Sequence, residues 1–89
     1  MSMYGMHGIP LEAQYLFRRG VELSGGDNPE PAMKCLRQAI IIAPGFSRAY
    51  RELGACLSRL GRQEDAAYYY QKLSRIESYR NRYPSQSCG

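Results

Sequence analysis

"AYRELGACLSRLGRQEDAAYYYQKL", residues 49–73, decides the fold of this chain. Its apolar and small residues recur at steps of three and four: Tyr50, Leu53, Gly54 and Leu57, then Ala66, Tyr70 and Leu73. That is the period of one helix face, and the interruption between the two runs falls at Gly61. Glycine is favoured just past a helix end, where the backbone turns left-handed. The stretch therefore reads as helix, tight turn, helix.

Outward from it, Gly25-Gly26, Pro44-Gly45 and Pro84 punctuate the rest of the chain. They leave four segments: about Pro10 to Ser24, Pro29 to Ala43, Ser47 to Leu60 and Gln63 to Arg82. Leu16, Gly20 and Leu23 form the apolar stripe of the first, and Ala32, Leu36, Ala39 and Ile42 or Ala43 that of the second. Ser47 is the expected cap of the third. Valine occurs once, at Val21, and threonine never, so nothing favours a strand. The expectation is an all-α domain of antiparallel helices over residues 10–82, with a leader at 1–9 and a tail at 83–89.

The chain also repeats itself. A shift of 34 residues brings Gly20 onto Gly54, Leu23 onto Leu57, Ser24 onto Ser58, Glu30 onto Glu64, Ala32 onto Ala66 and Ile42 onto Ile76. A helix–turn–helix unit used twice, at about 13–46 and 47–80, accounts for those identities. In that register "SGGDNPEPA", residues 24–32, is the turn inside the first unit rather than a phosphate or calcium loop. Gly25 and Gly26 are expected to end the first helix left-handed, and Asp27 or Asn28 to cap the second. Glu30 precedes a proline, which disfavours helical angles and would move the helix start to Pro31.

With these residues the chain resembles the tetratricopeptide repeat family. Tyr50 stands in the slot of the family's tryptophan, Leu53-Gly54 match its Leu-Gly pair, Leu57 takes its tyrosine slot, and Ala66 and Tyr70 its Ala and aromatic slots. Leu73 and Ser78 depart from the family's second Ala and its Pro. In the first unit Leu16, Gly20, Leu23, Ala32, Leu36, Ala39 and Pro44 hold the corresponding slots. Arg19 occupies a leucine slot; either it snorkels out of the interface or that layer packs differently. The resemblance implies two hairpins in a right-handed α-solenoid with the last helix extended, and a protein-binding scaffold. It further implies that the first helix of each pair lines a concave groove. Traced here, that groove contains Gln14, Phe17, Val21, Arg48, Arg51, Ala55 and Arg59, with Ser24, Ser58 and Glu52 beside them. Arg48, Arg51 and Arg59 fall within about 80° of arc. Basic and apolar side chains together suit a peptide with an acidic group and an apolar anchor. The family's chaperone-binding clamp is not expected, because Phe17, Val21 and Glu52 stand where it uses Lys or Asn.

Two repeats leave open ends, and about three are normally needed for stability. The extended last helix can cover one end, the chain can self-associate as a symmetric dimer, or it belongs to a longer array. Three consecutive tyrosines point about 100° apart along a helix. Tyr70 is the expected core residue. Tyr68 and Tyr69, with Ile76, Tyr79 and Tyr83, are the candidates for self-association.

The composition narrows the function classes. Formal charge is +4 over 89 residues, without a run of five like charges. Nucleic-acid or other polyanion binding through the Arg-rich face is the alternative function; Lys72, Arg75, Arg80 and Arg82 lie near Tyr79 and Tyr83, but Glu52, Glu64 and Glu77 interrupt the basic faces. The three cysteines, Cys35, Cys56 and Cys88, lack metal-ligand spacing and fit a reducing cytoplasm. No signal-peptide pattern opens the chain, and no apolar run is long enough for a membrane span. His7 is the only histidine, and no catalytic, Walker or dinucleotide motif occurs. The sequence therefore predicts a binding protein, not an enzyme, with neither cofactor nor metal.

Overall fold

Glycine and proline set the helix boundaries in space as they do in the sequence. The computed structural model describes residues 8–82, the side chains of residues 80–82 excepted. His7 with the rest of residues 1–7, and the whole tail at 83–89 with Tyr83 and Cys88, thus lie outside the described residues. Within them are four helices and no strand: α1 (Leu11–Ser24), α2 (Glu30–Ile42), α3 (Ser47–Arg59) and α4 (Gln63–Arg82). No described helix is long and apolar enough to cross a membrane.

The turn after α3 forms as the sequence suggests. Gly61 has φ +82°, Arg62 N–H donates to Leu57 O at 2.9 Å, and Gly61 N–H donates to Ser58 O at 3.0 Å. This reciprocal pair satisfies two carbonyls that a helix end otherwise leaves open. The turn after α1 is built differently. Gly25 has φ −84°, in the right-handed region, and no left-handed residue occurs there. Gly25 N–H donates to Glu22 O and Gly26 N–H to Leu23 O, so a tightened last turn occupies the carbonyls instead.

Two other ends depart from expectation. α2 starts at Glu30, not Pro31: Asn28 Oδ1 accepts from Glu30 N–H at 3.1 Å, and Met33 N–H closes the first turn onto Pro29 O at 3.0 Å. Pro29 and Pro31 sit where a helix has no acceptor for their missing N–H, so neither loses a bond. At α3 the cap is Phe46, and Ser47 lies inside the helix without a side-chain capping bond. Phe46 is instead held by burial of its ring among Ala13, Ala39, Ala43 and Ala49. A polar cap contributes about 1 kcal/mol, and burying a phenylalanine side chain about 1.5–3 kcal/mol, so the ring decides the position.

Helices α1 and α2 pair antiparallel, as do α3 and α4, and α2 packs on α3. Small residues allow the close approach. A Cβ on Gly20 would lie 2.7 Å from Leu36 Cγ, and one on Gly54 2.8 Å from the Tyr70 ring. The core has two parts. Met33, Leu36, Leu53, Cys56, Leu57 and Ala66 form one, and the alanines around Phe46 the other. Phe17 and Ile40 pack against both. Arg19 stays at the surface, its Nη1 3.3 Å from Glu22 Oε1, which relieves the charge expected in a leucine slot.

The tyrosine triplet corrects one expectation. Tyr70, the expected core residue, is 40% exposed, whereas Tyr69 is half-buried against the core. Tyr70 lies over Gly54, but among the described residues no further helix covers its outer face. Tyr69 turns inward, with its ring 6.3 Å from that of Tyr50.

Candidate functional site

On the α1 and α3 side, the residues expected to line a groove meet different fates. Phe17 is half-buried and meets the Phe46 ring at 5.1 Å between centroids, tilted by 43°. The Arg48 guanidinium sits 5.9 Å over the Phe17 ring and has no carboxylate partner among the described residues. Cation and ring therefore form one unit, presented from two helices. Val21 is exposed and Ala55 half-buried nearby on the same helices. Gln14 is turned away: its side-chain amide donates to Ile9 O at 2.7 Å, before α1 begins.

The other two arginines are engaged. Arg51 Nη2 lies 2.7 Å from Glu77 Oε2 of α4, so its charge is already answered. Arg59 Nη2 donates to Ser24 O at the end of α1 and to Cys56 Sγ, each at 3.5 Å, tying α3 to α1. The 80° arc of the three arginines placed them on one face of an isolated helix, about as geometry requires, but it was blind to partners on other helices. Glu77 had a signal. An antiparallel register that sets Gly54 against Tyr70 sets Leu73 opposite Arg51 and Glu77 about one turn further along α4, within reach of the long arginine side chain.

The α2 and α4 side holds a feature that the sequence reading missed. Helices α2 and α4 do not pack on each other. Between them lies a cleft of about 270 Å³ whose floor is Tyr50, Tyr69 and Ile40, with Arg37 and Ile41 on the α2 wall and Tyr68 and Lys72 on the α4 wall. Tyr68 meets Tyr69 edge to face at 5.0 Å, and Lys72 Nζ lies 5.4 Å over the Tyr68 ring. Tyr50 donates its hydroxyl to Pro44 O at 2.7 Å. Burial, and next the neighbouring Tyr68 and Tyr69 phenols, push the Tyr50 pKa up, so it stays a neutral donor. The run Ile40-Ile41-Ile42 carried the missing signal: three consecutive apolar residues on one helix cannot all face inward, and Ile41 is 76% exposed.

Of the self-association candidates, Tyr68 and Tyr79 are exposed, Ile76 is half-buried, and Tyr69 packs within its own chain. A second apolar trough, of about 490 Å³, lies beside Leu11, Tyr15 and Ile42 at the start of α1. The Cys56 thiol is pushed up by burial and, to a smaller degree, by Glu52, against the opposing pull of Arg59; this disfavours the nucleophilic thiolate. Among the described residues, no three His, Cys, Asp or Glu side chains converge as metal ligands would. Comparison with protein-family models, with curated proteins and with solved structures found no match.

Proposed function

We propose that this chain is an interaction module of the tetratricopeptide type, with repeats at 13–46 and 47–80 in a right-handed α-solenoid. It holds an acidic protein segment with an apolar residue on the surface made by α1 and α3. The repeated close approach supports the architecture: Gly20 opposes Leu36, and Gly54 opposes Tyr70 at the positions 34 residues on. Cys35 and Cys56 are free thiols, which suits a reducing compartment such as the cytoplasm. No catalytic role is assigned to any residue.

The observation that carries the reading is Arg48 over Phe17. The guanidinium can take a carboxylate through two parallel hydrogen bonds, and the ring with Val21 offers apolar contact beside it. Arg51 contributes less, because Glu77 competes with any incoming carboxylate.

The test uses a peptide selected on the full chain from a randomised display library, with affinity measured by calorimetry. Arg48→Glu is expected to weaken binding by roughly tenfold or more, which corresponds to about 1.4 kcal/mol. Arg51→Glu is expected to do less. If no peptide is selected, or if Arg48→Glu leaves the affinity of every selected peptide unchanged, the α1/α3 surface is not the site.

A further inference from the structure

The geometry points to a second binding site, in the cleft between α2 and α4: we propose that it takes a short acidic segment of a protein partner, anchored by one large apolar side chain. The cleft exists for a packing reason. The two helices stand apart because α3 packs against both of them and they do not pack on each other, and Tyr50 and Tyr69 fill the gap only from below. What remains is about 270 Å³, room for a single side chain rather than a cofactor. Its floor is aliphatic and aromatic, and Ile41 stands exposed at its edge.

Charge complementarity identifies the occupant. Arg37 projects from α2 and Lys72 from α4, on opposite walls, and no carboxylate lines the cleft. Arg75 joins Lys72 in an adjoining hollow of about 190 Å³ that shares the Tyr68 wall. None of these three cations makes an ion pair among the described residues. The acids of the two helices are placed elsewhere. Glu30 stands at the start of α2, Glu64 and Asp65 at the start of α4, and Glu77 is held by Arg51. An incoming segment with carboxylates on either side of an apolar residue would meet a cation on each wall and an apolar floor between them.

The same geometry ranks a protein segment above a nucleic acid. Base stacking needs an open aromatic face. One face of Tyr68 is covered by the Lys72 ammonium, and its contact with Tyr69 is edge to face. Tyr50 is buried and Tyr69 half-buried at the cleft floor, so neither ring offers a fully open face for stacking.

The experiment separates this site from the one on α1 and α3 by selecting peptides on the full chain carrying Arg48→Glu. Enriched peptides are expected to combine acidic residues with one large apolar residue. Binding should fall roughly tenfold or more in Arg37→Glu/Lys72→Glu and again in Ile41→Asp. All three positions are exposed, so helix content by circular dichroism should not change. Amide shifts on binding should centre on Ile41, Tyr68 and Tyr69. The proposal is overturned if selection yields no binder, or if the enriched peptides lack acids. It is also overturned if binding survives these substitutions, or if oligothymidylate competes for the same residues with a steep salt dependence, which would make the cleft a nucleic-acid site. Failure here leaves the Arg48 test standing, and the reverse holds too.

Discussion

The two hairpins make the same contact and treat it differently. In the first, Gly20 lets Leu36 approach, and Leu36 is fully buried because α3 lies over it. In the second, Gly54 lets Tyr70 approach at nearly the same distance, yet Tyr70 remains 40% exposed. Local sequence produces the contact between two helices of one hairpin. Whether that contact becomes core depends on the next layer. The larger residue stands in the open layer.

The sharpest way to break the comparison is to truncate both partners. Leu36→Ala should destabilise the chain by about 2–5 kcal/mol, since it leaves a cavity in a sealed layer. Tyr70→Ala should cost only about 1–2 kcal/mol, because much of its ring already meets water. Chemical denaturation of both variants measures the difference. Equal costs would mean that Tyr70 is covered in solution, and a symmetric dimer, one of the three ways of covering an open end, would then be the first explanation to test by sedimentation.

Filling the glycines is the next step. At Gly20 a new Cβ meets Leu36 Cγ at 2.7 Å, Leu36 Cδ2 at 2.8 Å and Ala32 O at 3.2 Å. Leu36 has nowhere to go, so Gly20→Ala should cost about 1–2 kcal/mol after the gain of about 1 kcal/mol in helix propensity is counted. At Gly54 the three atoms nearest the new Cβ all belong to the Tyr70 ring, the nearest at 2.8 Å. That ring can swing outward, and Gly54→Ala should stay within about 0.5 kcal/mol of the parent. Thermal melts of the pair give the contrast, and a Gly54→Ala loss as large as that at Gly20 would show the second layer to be rigid.

A third contrast concerns Tyr50, which stands 34 residues on from Leu16. Tyr50→Phe removes the bond to Pro44 O and should cost about 1 kcal/mol near neutral pH. The sign with pH follows from the raised pKa. The unfolded chain ionises first, at about pH 10, so it holds fewer protons than the folded chain above that point and stability falls as pH rises. The Phe variant lacks this contribution, and the gap between the two proteins should narrow above about pH 10. A gap that is constant with pH would show that Tyr50 is solvated like a free phenol.

Helix positions were legible because their causes are local. Gly61 needs only its own freedom at positive φ, and prolines at 29 and 31 need only vacant acceptors. The failures have causes that are not local. Ser47 lost the cap because the Phe46 ring found alanines on two other helices. Tyr69 rather than Tyr70 turned inward because Tyr50 and the core stand on that side. Arg48 and Phe17 were named from the sequence and do meet, whereas Arg51 was drawn to Glu77, 26 residues away in the chain.

The sequence by itself determined four helices, the turns that join them and the small residues that let each pair close, because periodicity and backbone freedom act within a few residues. Only the tertiary structure decided which charges remain free and where a cleft opens. Those outcomes depend on distances between helices, and the gap between α2 and α4 is made by α3, which contributes only Tyr50 to its lining.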